Sequence, residues 1–420
     1  MVAPAIHAYD QYTLLNVSEY NNIVHHSRLQ VAKIIDALKT YRHLDADSQI
    51  AIIVDQLMDI PYIYKNGMGE GDWHPEAKEY RSGAVHVNQN PVYRLDKLNC
   101  QTFVQVVMAL LHAKNMTQFD NNIVQISYGA AGNPHGEIVR YYNRNNLIDA
   151  DFNPVNQRNG WLTDITSKGP LSSHAKKTYA HITRQNWFLK QQDDLDDNVQ
   201  VLAKSSGPAM IKRFKTIYAE LNFPRFKSEH IAISYLPKEI FVLNRMDGRM
   251  EPNQTLLDTI PTPAVAEIVR DVKRWNDNGI NIKDIIGTEF TISHLGLLYR
   301  QGYNRGELIY RKTMCTYHDG NMKVCAVRPV TCQKDFCEEL MFAHATNAYP
   351  KHYFWYQTSN NNYVCSPYPP KSDTPYTSCN RVVSMPFYDY LTEYHAGLYS
   401  NMELRSILGI HLEKISTPHA

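Results

Sequence analysis

Apolar residues recur at mostly helical spacing over 17–43, through Ile23, Val24, Leu29, Val31, Ile34, Ile35 and Leu38, which predicts a first helix. The stretch DSQIAIIVDQLMDI predicts a second, with Asp47 or Ser48 as its N-cap. From Cys100 to Ala113 the residues Phe103, Val104, Val107, Met108 and Leu111 form one apolar stripe of a third helix, and Asn99 can cap its start. Between the second and third lies a loop marked by Pro61, Gly67, Gly69, Gly71 and Pro75. Residues 120–166 are polar and rich in Asn, Gly and Tyr, which predicts long surface loops. TPAVAEIVRDVKRW is expected to be a helix.

Strand patterns dominate the rest. HIAISYLPKEIF (His230 to Phe241) alternates up to Pro237, and Lys283 to Gly302 reads as two β-rich runs broken at Gly287 and Thr288. LIYRKTM and ELMFAHAT are further strands, followed by a loop rich in Pro, Tyr and Ser (NNNYVCSPYPPKSDTPYTSCN). PFYDYLTEYHAG and SNMELRSILGIHL read as closing helical turns. No internal repeat is visible. Helices first and then a mostly antiparallel sheet make an α+β protein. The expected organisation is an N-terminal helical extension over 1–46 and a main domain over 47–420, with a Cys-rich insertion at about 303–340.

The 420 residues suffice for one large domain or two ordinary ones. The formal net charge of +1 leaves no electrostatic footprint for nucleic acid or an anionic membrane surface. No apolar run approaches the ~20 residues that span a bilayer. The opening MVAPAIHAYDQYTLLN lacks the basic and apolar regions of a signal peptide, so the chain is expected either to stay in the cytoplasm or to begin after a removed signal. Six of the seven cysteines, Cys315, Cys325, Cys332, Cys337, Cys365 and Cys379, crowd into one loop-rich region. That reads as disulfides and an oxidising compartment, with about 15 pairings open. A zinc site is the weaker reading, because no paired CxxC spacing occurs there.

The odd cysteine is Cys100, at a predicted helix N-terminus. Helix dipole and unpaired amide N–H groups favour a thiolate there, and the same N–H groups can hold an oxyanion. Such a nucleophile needs a base. His294 in TISHLGLLY and His344 in LMFAHATNA are polar rings inside apolar strands, and two neighbouring strands could set them side by side as base and orienter. A lone helical cysteine is more often a core residue, and a strand histidine more often a satisfied structural one. The residues alone leave both readings open. GMGEG lacks the Lys-Ser/Thr of a phosphate loop, DDLDDN fails the calcium-loop spacing, and PKHYFWYQ fits sugar stacking or sheet packing equally well.

Taken in order, PYIYKNGMGEG, VYRLDKLNCQTFVQ, DIIGTEFTISHLGLLY and FAHAT resemble the N-acetylmuramoyl-L-alanine amidase-like family of NlpC-type, papain-like cell-wall hydrolases. The likeness runs from about residue 50 to 395, and its motifs are Pro61-Tyr62, Asn99-Cys100 with Thr102-Phe103-Val104, His294-Leu295-Gly296 and His344-Ala345-Thr346. It implies a papain-like core whose helical lobe carries Cys100 as nucleophile and whose sheet carries His294 as base and His344 as orienter, with Tyr62 beside the thiol. It implies peptidoglycan or muropeptide as substrate, the muramoyl-L-alanine amide as the bond, no metal or other cofactor, a monomer, and a periplasmic or secreted location. Arg144, Asn145, Asn153, Asn156 and Trp161 look like the substrate-side loop, so Arg144, Asn145, Asn156 and Arg158, with Glu70 at the cleft, are the substrate-binding candidates. Two departures stand out. Asn99 replaces the usual Asp, and an insert of about forty residues separates the two histidine strands. They motivate an alternative: a secreted effector or binding protein on the same scaffold, with weak or host-directed hydrolysis.

Overall fold

The computed structural model describes residues 17–63, 93–129, 144–184, 186–187, 228–244, 249–274, 276–277, 280–304, 308–316, 322–331, 336–346, 354–357, 363–366, 377–378, 380–392 and 406–417. It is α+β, with its four long helices on one face of a mainly antiparallel sheet.

The helices are α1 (Val17–Tyr41), α2 (Ala46–Leu57), α3 (Cys100–Leu111) and α4 (Met116–Tyr128). In α1, Val31, Ile34, Ile35 and Leu38 are buried at the spacing that one helix face presents. The cap of α2 is Asp45, whose carboxylate accepts the Ser48 amide at 2.7 Å. Asp47, expected to cap, lies inside the first turn and accepts the Thr262 hydroxyl at 2.6 Å instead. Asn99 caps α3 as expected, through a reciprocal box. Its side chain accepts from the Thr102 amide at 2.8 Å, and its own amide donates to the Thr102 hydroxyl at 3.0 Å.

Most of the described part of the stretch expected to be surface loop is not loop. It carries the end of α4, a π-turn over Ile148–Phe152 and α5 (Asn153–Arg158). Phe119, Ile123 and Ile126 give α4 its buried face. The asparagines around them are caps and helix-end partners, which is why composition alone misled.

Eight strands form the main sheet: β1 (Leu162–Asp164), β2 (Lys176–Ile182), β3 (Glu229–Pro237), β4 (Ala264–Arg270), β5 (Ile292–Asn304), β6 (Phe336–Ala345), β7 (Val382–Pro386) and β8 (Ile407–Ile415). Their order is β7-β6-β5-β4-β8-β3-β2, with β1 also on β8, and all pairs are antiparallel. Two sequence expectations fail here. The segment expected as a helix over 262–275 is the central strand β4, every residue of which is buried. A short apolar run covered on both faces shows no alternation, and periodicity cannot tell it from a buried helix. SNMELRSILGIHL, expected as a helical turn, leads into β8. Lys283 to Gly302 begins with a short helix, Ile282–Ile286, ended by Gly287 at φ 87°, and only then becomes β5.

Side chains alternate across the sheet. Val265, Leu295, Leu297, Tyr299, Ala343 and Ile415 join the core beneath α1–α4. Ala266, Ile268, Leu298, Phe342 and Leu412 join a second core with Phe241, Phe387 and Tyr390. The Cys-rich insertion is a β-hairpin, Leu308–Thr316 with Met322–Thr331, which belongs to a separate four-stranded sheet. It leaves β5 and β6 paired directly, from Asn304↔Phe336 to Leu297↔Ala343. Cys332, Cys379 and the side chains of Cys315, Cys325, Cys337 and Cys365 lie outside the described residues, and the disulfide expectation with them. No described helix is long and apolar enough to cross a membrane.

Candidate functional site

Cys100 is the first residue of α3, a free and partly exposed thiol. The backbone N–H groups of Leu295 on β5, and of Gln101 and Cys100 at the helix start, favour its ionised form. Cys100 packs against the core that Leu295 and Leu297 of β5 share with α3. A helix N-terminus lowers a thiol pKa when solvent is near. Here burial outweighs those N–H groups and pushes the thiol up to about 11. This reverses the expectation of a resting thiolate. Desolvation is a tertiary effect, and the local motif does not carry it.

His294 and His344 are brought together. Nε2 of His294 lies 2.6 Å from Nδ1 of His344. The β5–β6 ladder stops at Leu297↔Ala343. Continued by one pair, it puts His344 opposite Gly296 and diagonal to His294, which is within reach of a long side chain. Gly296 makes the approach possible: a Cβ there would lie 2.5 Å from two Phe342 ring carbons and 2.6 Å from the Ala343 carbonyl oxygen. Phe342 packs 4.7 Å from the His344 ring, and Tyr390 meets it edge-on at 5.1 Å. His344 is fully buried.

Both rings are held neutral. Burial pushes His294 down to about 3, helped by the positive charge of Arg270, and burial with the neighbouring His294 pushes His344 well below the usual histidine range. With Nε2 engaged, the nitrogen of His294 left to face a reacting group is Nδ1. For that nitrogen to be a base, the proton must sit on Nε2, and His344 Nδ1 must accept it.

Tyr62 lies on a segment clipped to the entry of α3. It forms a parallel bridge with Leu98, and its amide donates to the Asn380 carbonyl at 2.9 Å. Its ring packs on the core that Cys100 also touches. The substrate-binding candidates are placed differently. Arg144 is buried and donates to Gln105 at 3.0 Å and to the Tyr128 hydroxyl at 3.2 Å. Asn145 is buried, donates to the Ile126 carbonyl at 3.0 Å, and its own carbonyl accepts from Gln101 at 2.6 Å. Asn156 is fully buried and donates to the carbonyls of Ile126 and Phe152 at 3.1 and 2.8 Å. These three brace α3, α4 and α5 behind the thiol. Arg158 is exposed at the end of α5, and Glu70 lies outside the described residues. Arg270 was hidden from sequence reasoning inside the misread segment, and the Leu295 amide has no side-chain signal at all.

A family model described as AmiA-like, N-acetylmuramoyl-L-alanine amidase-like, matches residues 76–329, three fifths of the chain. The matched span holds Cys100 and His294 and ends before His344. No curated protein sequence matches the chain. The crystal structure of a Legionella pneumophila (strain Philadelphia 1) protein is similar with a TM-score of 0.56 at 20% identity, over 95% of this chain and 97% of that one. The two share a fold. An N-acetylmuramoyl-L-alanine amidase from Bacteroides uniformis aligns at 16% identity over 89% of this chain and 99% of that one, with a TM-score of 0.37, too low to carry an argument.

Proposed function

From the premise that the chain belongs to the AmiA-like, N-acetylmuramoyl-L-alanine amidase-like family, we propose that it is a cysteine-dependent hydrolase of a peptidoglycan amide, working through Cys100, His294 and His344. The observation that carries this reading is the pair of imidazoles, His294 and His344, fixed 2.6 Å apart on neighbouring strands of the sheet on which α3, with Cys100 at its start, packs. The order of helix, thiol and histidine strands supports a papain-like core of the NlpC type.

The reaction starts from a neutral thiol and a neutral imidazole. As the sulfur attacks the amide carbonyl, an S–C bond forms and the thiol proton moves to Nδ1 of His294. The new imidazolium is stabilised by His344, which accepts from Nε2. N–H groups at the start of α3 hold the oxyanion, with the Tyr62 hydroxyl as a further donor. The C–N bond then breaks, and the proton on Nδ1 goes to the leaving amine. Water, deprotonated by His294, hydrolyses the thioester and restores the thiol.

The muramoyl-L-alanine bond is the substrate bond favoured by family membership, and action outside the cytoplasm follows from that substrate. Arg158 is the substrate-side candidate whose guanidinium is open to solvent. The test is digestion of purified peptidoglycan by wild type and Cys100→Ala, with products identified by mass spectrometry. Free stem peptides from the wild type alone are the expected result. Cuts inside the stem would move the bond. No release by either protein would sink the amidase reading and favour a binding or host-directed protein.

A further inference from the structure

A second polar cluster lies on the same face of the sheet as Cys100, and the proposed reaction does not use it. Asp164 at the end of β1 and Glu413 on β8 are directly opposite each other. His411, two residues along β8, stands opposite Glu267 of β4. Glu267 and Glu413 are fully buried, and His411 is 3% exposed. Asp164, His411 and Glu413 each bring one ligating atom to within 4.8 Å of the other two.

The hydrogen bonds prepare these atoms for a positive charge. Nδ1 of His411 is 2.8 Å from the Ser234 carbonyl oxygen, so Nδ1 carries the proton and Nε2 faces the carboxylates. Metal-bound histidines are oriented in this way, by giving their other N–H to a carbonyl. Nε2 is 2.8 Å from Oε1 of Glu413, which also accepts from Gln157 at 2.6 Å. Asp164 is held by the amides of Thr166 and Ser167, each at 2.9 Å, and by the Ser167 hydroxyl. Against that order, Oε2 of Glu413, Oε1 of Glu267 and Oδ1 of Asn153 are buried oxygens without a donor among the described residues. Asn153 also donates to Glu267 at 2.8 Å.

Like charges opposite each other on paired strands destabilise a sheet. Unsatisfied buried acceptors cost more still. A proton on His411 answers Oε1 of Glu413 and leaves its buried Oε2 without a donor among the described residues. We propose that Asp164, His411 and Glu413 form a structural site for a first-row divalent cation of the zinc class, which ties β1 and α5 to β8. One imidazole nitrogen with carboxylate oxygens suits zinc better than calcium or magnesium. The burial of the set makes the site structural, apart from the reaction at Cys100.

The experiment uses the full chain, stripped with chelator and reloaded with zinc ion alone. Metal content and the thermal midpoint are read for wild type, Cys100→Ala, Asp164→Asn and Glu413→Gln, with circular dichroism checking that each is folded. Asp164 is only partly buried, so its variant keeps the comparison open if Glu413→Gln fails to fold. One zinc per chain and a raised midpoint in wild type and Cys100→Ala, both lost in Asp164→Asn, are expected. No uptake by the wild type would overturn the proposal. Equal uptake by Asp164→Asn would also overturn it, by placing the ion elsewhere, for instance among the clustered cysteines.

Discussion

The raised pKa of Cys100 makes the sharpest prediction, because it opposes the simplest rule for a helix-start thiol. Only thiolate reacts with iodoacetamide. With the thiol at about 11, about one molecule in a thousand is ionised at pH 8, against about a quarter for an ordinary cysteine near 8.5. Labelling at Cys100 should therefore be roughly two hundred-fold slower than for an exposed thiol at that pH. It should climb tenfold per pH unit with no plateau up to about pH 10. The assay is time-resolved labelling of folded protein from pH 6 to 10, with the Cys100 peptide followed by mass spectrometry so that the other cysteines do not enter. An inflection below about pH 9 would refute the reasoning. It would mean that the amides of Leu295, Gln101 and Cys100, with His294, outweigh burial and that the resting pair is ionic. With the expected result, hydrolysis must move the thiol proton during attack. The rate of substrate turnover should then stay flat from about pH 5 to 9, since His294 protonates near 3.

Gly296→Ala should lower stability by about 1–3 kcal/mol through overpacking against Phe342, and thermal unfolding measures it. It should reduce turnover further than the stability loss explains, because Phe342 is displaced toward His344; unchanged turnover would contradict the placement of the ring. Asn99→Ala should cost about 1 kcal/mol through loss of the cap, read in urea unfolding. Asn99→Asp should keep the cap and shift the Cys100 labelling curve to higher pH, because a negative charge beside the thiol disfavours thiolate. His344 is neutral when folded and has an ordinary pKa when unfolded, so the unfolded chain binds its proton first. That stability is present above about pH 6.5 and is lost as pH falls, by about 1.4 kcal/mol per unit. In His344→Gln the acid slope of stability between pH 6 and 5 should be shallower by that amount, and equal slopes would show that the ring is already charged in the folded protein.

The features legible in the sequence are those set by neighbours along the chain. Asn99 and Thr102 lie three residues apart and cap α3 whatever surrounds them, so the position of Cys100 at a helix start is readable without a structure. His294 and His344 stand out as polar rings in apolar runs, and their meeting needs only that two strands pair across the insertion. What the sequence hides depends on cover. Residues 264–270 look like a helix until both faces of the sheet are seen to be buried, and that misreading conceals Glu267 and Arg270 together. Arg270 helps keep His294 neutral, and Glu267 stands opposite a histidine near the far end of the chain. Asp164 falls in a stretch that composition reads as loop, yet it is the register partner of Glu413. The same cover sets the chemistry of Cys100. The local amides argue for a thiolate, and the packing of α3 on β5 reduces the water that a thiolate needs. Position along the chain picks out the candidate nucleophile, and burial decides whether it waits as a thiol or as an ion.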